Sequence, residues 1–336
     1  MMLNICLLGA GFIGKVHAEN LVGNPEVGFA GIFDPDQRVA ALLAERHGVP
    51  TLESVDAVME DRRIDAVLIA TPAGTHPTLI RQASEAGKAI FCEKPIGKDL
   101  VEVDACLEAL EGYDRPVQIG FNRRFDPQHR ALYTALQQGE IGAVEQLIIT
   151  SRDPHPPPVT YMRDTPGGVF YDTMCHDFDT ARWLLGEEPI EVYAVASSLL
   201  EEDLNPDRDL DTAMALLRTA SGKMCHINVS RRSVYGHDQR IEVFGSKGML
   251  QSQNIQRSRI RRYGSEEISE EVLLDFFIDR YREAYVQELQ SFVDASLRRS
   301  PVEVTIFDGR QSLALSLAAL DSSRRGQPVH LTDPSQ

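Results

Sequence analysis

The sequence predicts an α/β protein: a doubly wound parallel sheet, followed by an α+β domain with a large, mostly antiparallel open sheet. Three observations point there. Up to Gly120, short apolar runs alternate with segments of helical spacing. Beyond it, β-forming runs follow one another with few helices between them. The length, 336 residues at 43% apolar and 25% charged, suits two globular domains. The boundary is drawn to give domains 1–121 and 122–336.

In the first domain strands are expected at Leu3–Leu8, Val27–Phe33, Asp65–Ala70, Ala89–Cys92 and Val117–Gly120. Helices are expected at Phe12–Val22, Asp36–His47, His76–Ala86 and Asp99–Leu110. Strand and helix alternating at this spacing imply a parallel sheet with helices on both faces. In the second domain a helix is expected over Pro127–Gln138. One largely antiparallel sheet is expected from Val144–Ser151, Glu191–Leu199, Thr212–Thr219, Met224–Ser230, Arg240–Phe244 and Ser258–Tyr263. A helix near Asp172–Leu185 interrupts it, and helices at Phe276–Arg298 and Phe307–Ser323 close the chain. Asp153–Pro158 is Pro-rich. Glu201–Asp211 and Ser265–Glu271 are acidic and read as solvated loops.

Net charge is −16, from 50 acidic and 34 basic residues, which disfavours nucleic acid as a partner. Cys6, Cys92, Cys106, Cys175 and Cys225 show no CxxC and no regular spacing, so free thiols in a reducing compartment are expected. The chain opens into a strand-like run without a signal or transit segment, and no apolar stretch is long enough to span a bilayer. The expected location is cytoplasmic, with no membrane partner.

Gly9-Ala10-Gly11-Phe12-Ile13-Gly14 fits G-x-G-x-x-G. The context gives it weight: it follows an apolar strand, opens a helix, and is followed by a second strand ending at Asp34, about 20 residues on. Gly9 allows the tight turn, Gly11 the approach of a pyrophosphate, and Gly14 close helix–strand packing. The helix N-terminus then receives the anion. Asp34 is placed to accept from ribose hydroxyls and would repel a 2′-phosphate. This Rossmann arrangement therefore favours NAD over NADP, although Arg38 lies close enough to weaken that preference.

Glu93-Lys94-Pro95, after a short strand and downstream of the glycine loop, resembles the glucose–fructose oxidoreductase / inositol dehydrogenase / rhizopine catabolism family. The resemblance runs through almost the whole chain. Within the family it is most similar to inositol 2-dehydrogenases, through Gly9–Leu21, Gly120–Pro127, Ser151–Pro154, His176–Leu184, Val234–Gly248 and Phe277–Ala295. It implies that Lys94, Asp172 and His176 are catalytic and that the Lys94–Pro95 peptide is cis. The implied cofactor contacts are Gly9, Gly11, Phe12, Ile13, Gly14, Asp34, Arg38, Thr71, Pro72, His76, Glu93 and Lys94. It nominates Thr173, Asp179, His155, Tyr235, Asn122 and Tyr281, beside the catalytic three, as contacts to a polyol. It also implies a homotetramer packed through the open sheet. Cys175, just before the histidine, and the loop around Asp153–Thr165 depart from the family pattern, and such loops line the substrate pocket in relatives.

Oxidising a secondary alcohol requires removal of the hydroxyl proton as hydride leaves carbon. A histidine suits this, with an ordinary pKa of about 6.5. Asp172 and His176 are i and i+4, so a helix beginning near Asp172 would place them on one face with Asp179. Asp172 would fix the imidazole tautomer and stabilise its charged form. Lys94 would stabilise alkoxide character or share the proton transfer, and the sequence leaves both roles open. A lone histidine is more often a core or surface residue, and His155, among prolines, reads equally well as a loop residue. No HExxH or CxxC supports a metal, and none is expected. The expected activity is NAD-dependent oxidation of an inositol ring hydroxyl. The alternatives are a related sugar or deoxy-sugar dehydrogenase, or a non-catalytic NAD-binding regulator.

Overall fold

The computed structural model describes residues 2–165, 167–200 and 210–331. They form two compact units, residues 1–125 with 283–313, and residues 126–282 with 314–336.

In the first unit β1 (Leu3–Leu8), α1 (Phe12–Gly23), β2 (Val27–Phe33), α2 (Gln37–His47), α3 (Val55–Glu60), β3 (Ala66–Ile69), α4 (His76–Glu85), β4 (Ala89–Glu93), α5 (Leu100–Ala109) and β5 (Val117–Gly120) follow in order. The five strands pair in parallel as β2-β1-β3-β4-β5. Asp36 and Asp99 fall just outside their helices as caps. Asp36 accepts from the amides of Arg38 and Val39, and Asp99 from that of Glu102. The helix α3 is unanticipated, although Ser54 caps it by accepting from the Ala57 amide at 3.0 Å. The sheet's core includes Ile5, Leu7, Leu68 and Phe91, and also Leu289, Phe292 and Val293 from far along the chain. Phe91 and Phe292 meet edge to face at 5.8 Å. That packing is why this unit is not one continuous stretch ending near residue 121.

The second unit carries α6 (Pro127–Gln137), β6 (Val144–Arg152), α7 (Val159–Asp164), α8 (Gly168–Asp172), α9 (Met174–Leu185), β7 (Pro189–Ser197), β8 (Thr212–Thr219), β9 (Met224–Ser230), β10 (Asp238–Gly245), β11 (Gly248–Ser252), β12 (Arg261–Tyr263) and β13 (Ile268–Glu270). Two helices follow, α10 (Phe277–Arg298) and α11 (Ile306–Arg325), then β14 (Val329–His330). The division into units falls within α10 and within α11. The large sheet runs β11-β10-β6-β9-β8-β7-β14. Only β6 and β9, among these pairs, are parallel. Strict alternation buries Ala213, Ala215 and Leu217 of β8 and Cys225, Ile227 and Val229 of β9 against Phe170, Phe178 and Leu185. The opposite face shows Tyr193, Val195, Met214, Leu216, Phe244 and Met249 at 37% to 54% exposure.

Two expectations need correction. The run Ser258–Tyr263 does not join the large sheet. Only Arg261–Tyr263 is strand, paired with Ile268–Glu270 in a separate ribbon inside what was read as an acidic loop. With Arg259, Arg261 and Arg262 in it, the run has no apolar face to bury. The loop after Asp153–Pro158 is likewise partly helical, as α7. The acidic stretch Glu201–Asp211 lies outside the described residues up to 209. Asp211 itself is buried, and its carboxylate accepts from the amides of Leu199 and Leu200.

Candidate active site

The glycine loop joins β1 to α1. Gly9 has φ +102, and a Cβ there would lie 2.4 Å from the Ala70 carbonyl oxygen. A Cβ on Gly14 would lie 2.1 Å from the Gly9 oxygen. On Gly11 it would meet no atom within 4 Å. So two glycines are demanded by packing within the protein, and the third faces open space, as a loop built for close approach of a phosphate requires. The first turn of α1 has no side-chain cap and no acidic residue, leaving its amides and positive dipole end to an anion. Phe12 is exposed, and Ile13 packs on the core. At the end of β2, Asp34 accepts from the Ala10 amide at 2.8 Å, tying the acidic residue to the loop. Arg38 is solvent-exposed beside Asp36, at 3.8 Å. These residues fit a dinucleotide.

Thr71 and Pro72 follow β3, and the Thr71 and Thr75 hydroxyls lie 2.7 Å apart. Lys94 follows β4, half-buried, and the Lys94–Pro95 peptide is cis. The Lys94 amide donates to Glu93 Oε2 at 3.2 Å. Glu93 is buried, and its Oε1 meets His17 Nε2 at 2.6 Å. His76 is buried, with Nδ1 2.8 Å from the Pro95 oxygen and Nε2 2.7 Å from the Thr71 oxygen. Burial pushes the His76 imidazole below its ordinary range, while the two carbonyls pull it back up. Asn122, also in the first unit, is buried in a short turn after β5.

In the second unit the helix at Asp172 is not continuous, contrary to the single helix expected over Asp172–Leu185. Asp172 ends α8, Thr173 stands at the junction with φ −100, and His176 lies in the first turn of α9. The local hydrogen bonds explain the break. The His176 amide donates to the Thr173 oxygen at 3.3 Å rather than to Asp172, and the Cys175 thiol takes the Asp172 carbonyl at 3.4 Å. The unusual Cys175 thus has a structural use. Asp172 and His176 flank a junction instead of sharing one regular helical face.

The Asp172 carboxylate is held at both oxygens. Tyr161 donates its hydroxyl to Oδ1 and Arg231 donates Nη2 to Oδ2, each at 3.0 Å. Neither partner was anticipated. Arg231 had a signal: Cys225, Ile227 and Val229 face inward on β9, and the next inward position is an arginine, which needs a buried acceptor. Tyr161 had none, since its helix was read as loop. Thr173 is buried, His155 is exposed, and Asp179 is buried 3.6 Å from Arg182. Tyr235 donates to Asp238 at 2.7 Å and meets Arg152 at 2.8 Å. Tyr281 is buried among His129, His237 and Arg280. All five cysteines are buried and outside any disulfide. Among the described residues, no helix is long and apolar enough to cross a membrane.

Comparison with known proteins matches residues 3–121 to the oxidoreductase family with an NAD-binding Rossmann fold, and residues 129–251 to the GFO/IDH/MocA C-terminal domain. An inositol 2-dehydrogenase of Rhizobium meliloti is 43% identical, over 96% of this chain and 97% of its own. The crystal structure of a myo-inositol dehydrogenase from Corynebacterium glutamicum superposes with a TM-score of 0.93 at 38% identity, covering 99% of this chain and 100% of that one. The scyllo-inositol dehydrogenase of Lactobacillus casei, crystallised with NAD(H) and scyllo-inositol, gives 0.89 at 27% identity, covering 98% and 99%.

Proposed function

The chain belongs to the GFO/IDH/MocA oxidoreductase family, and on that premise we propose that it is an NAD-dependent inositol 2-dehydrogenase, converting myo-inositol to the 2-keto product. The observation that carries this is the near full-length match at 43% identity to an enzyme of that name. The glycine loop, the uncapped first turn of α1 and Asp34 support the cofactor assignment.

NAD, when bound, supplies the hydride acceptor. The chain's own residues handle the proton. His176 is the proposed base for the ring hydroxyl, with Asp172 orienting it and offsetting its positive charge. As an ammonium, Lys94 lowers the cost of negative charge on the reacting oxygen; as a neutral amine it would instead share in accepting the hydroxyl proton. Arg231 and Tyr161 hold the Asp172 carboxylate in place through its two oxygens. Asn122, His155, Thr173, Asp179, Tyr235 and Tyr281 are the proposed contacts to the remaining hydroxyls. Asp34 disfavours a 2′-phosphate, so NAD is preferred to NADP.

A panel of myo-inositol, scyllo-inositol, other inositols and aldoses, scored by reduced-nicotinamide absorbance, tests the assignment. Turnover is expected with an inositol and NAD. Turnover of aldoses alone would replace the inositol reading with a sugar dehydrogenase, and NAD binding without turnover of any polyol would point to a regulator.

The open sheet face supports a homotetramer. Tyr193 lies opposite Leu216 and Val195 opposite Met214, forming a continuous apolar strip. Light scattering should give four times the mass of the chain, and Met214→Glu with Leu216→Glu should lower it. A monomeric wild type would sink this part. Five cysteines outside any disulfide support a reducing, cytoplasmic location.

A further inference from the structure

The peptide around Lys94 is gripped from both sides by buried histidines; His76, expected from the sequence to contact the cofactor, instead has both ring nitrogens against backbone carbonyls. On the N-terminal side, Glu93 is held by His17 of α1, 2.6 Å from Nε2 to Oε1. The other Glu93 oxygen accepts the Lys94 amide itself. The His17 ring is fixed in turn by edge contacts with Phe91 at 5.3 Å and Tyr285 at 5.8 Å. On the C-terminal side, the His76 ring lies between the Pro95 and Thr71 carbonyls, 2.8 Å and 2.7 Å from their oxygens, and donates its N–H to one of them. His17 and His76 are 0% and 1% exposed. The polar contacts these buried rings make go to Glu93, Pro95 and Thr71, beside Lys94 or on the loop after β3.

We propose that His17 and His76 are positioning residues that together fix the backbone of Lys94, and so the point from which its side chain reaches the reacting oxygen. His17 sits on the helix whose first turn receives the pyrophosphate, so its bond to Glu93 relates the cofactor-binding helix to the strand end that carries the lysine. His76 relates the same strand end to Thr71. A further buried ionisable group here is Glu288, whose carboxylate also feels the charge of Glu93. Neither histidine needs to touch substrate. Their effect is on placement, where an ångström-scale error costs roughly 10- to 100-fold in rate.

The proposal rests on Lys94 acting in the reaction, and the experiment separates the two. Turnover of myo-inositol and affinity for NADH, by its fluorescence, are measured for His17→Leu, His76→Leu, His17→Gln, His76→Gln and Lys94→Ala. They are also measured for each of the four histidine variants combined with Lys94→Ala, using single-turnover hydride transfer. The Leu variants should lose roughly 10- to 100-fold in kcat with KM and NADH affinity nearly unchanged. The Gln variants keep an amide donor and should recover part of the loss. In the Lys94→Ala background the histidine substitutions should cost little more, because their effect runs through the lysine. An equal loss with and without Lys94, or an NADH affinity that falls in step with kcat, overturns the proposal. If a Leu variant does not fold, the Gln variant in both backgrounds decides the same question. Full turnover by Lys94→Ala would overturn the site reading itself. Full turnover by the histidine variants, with Lys94→Ala impaired, would overturn only the brace.

Discussion

In the first unit Lys94 is held through the residues on either side of it, whereas in the second Asp172 is held by its own carboxylate oxygens. The difference follows from what each group must supply. A lysine acting at a distance needs a fixed origin for a long side chain, so buried contacts go to Glu93 and Pro95. A carboxylate that orients a base needs a fixed direction and a stable charge, so Tyr161 and Arg231 bind it directly.

The largest test of this contrast removes the groups themselves. Lys94→Ala and His176→Ala should each lower kcat by about 10²- to 10⁴-fold, the range for a lost acid–base or electrostatic group, with NADH affinity largely kept. Near-normal turnover by His176→Ala would show that the proton leaves by another route. Arg231→Leu sharpens the second half. It removes a charge-assisted bond from Asp172, which should cost about 1.5–3 kcal/mol in stability as well as activity. Arg231→Lys should restore part of both. If denaturant unfolding of Arg231→Leu matched wild type, the direct grip on Asp172 would be unimportant.

The same contrast explains what was legible in the sequence. The first unit's features are local: a six-residue loop, an acidic residue at a strand end, and a lysine before proline each carry meaning in place. Apart from α3, its strands and helices were located to within a residue or two, because apolar runs and caps such as Asp36 and Asp99 mark them. The second unit's site draws on α7, α8, α9 and the end of β9, and no single stretch announces it. Tyr161 lies in a short helix preceded by prolines, and six residues carry too little periodicity to reveal it. The break at Thr173, where the Cys175 thiol lies 3.4 Å from the Asp172 carbonyl oxygen, is not encoded by helical spacing. The contribution of Leu289, Phe292 and Val293 to the first core is a long-range packing fact, invisible to any local pattern.

Within the glycine loop the comparison can be made between neighbours. Gly14→Ala brings a Cβ to 2.1 Å from the Gly9 oxygen, so the protein itself must yield, at about 1–3 kcal/mol. Gly11→Ala meets nothing within 4 Å, and its φ of −70 suits alanine. It should melt like wild type yet bind NADH at least about tenfold more weakly, or about 1.4 kcal/mol. Thermal melts and fluorescence titrations of the two variants separate the glycine kept for packing from the one kept for the ligand. Unchanged NADH affinity in Gly11→Ala would remove the loop from the cofactor site.

The smallest expected effect concerns the buried acid behind Lys94. Glu288 is fully buried, and both its oxygens lack a hydrogen-bond partner among the described residues. Burial, and then the neighbouring Glu93 charge, push its carboxyl well above the ordinary range. In the unfolded chain the same group titrates at about 4.3. Below that pH both states hold the proton and the group costs nothing. As pH rises, the unfolded chain releases its proton while the folded one keeps it, so stability declines. Glu288→Gln removes the titration and should raise the melting temperature more at pH 8 than at pH 5. An equal difference at both pH values would mean that Glu288 is already ionised in the fold.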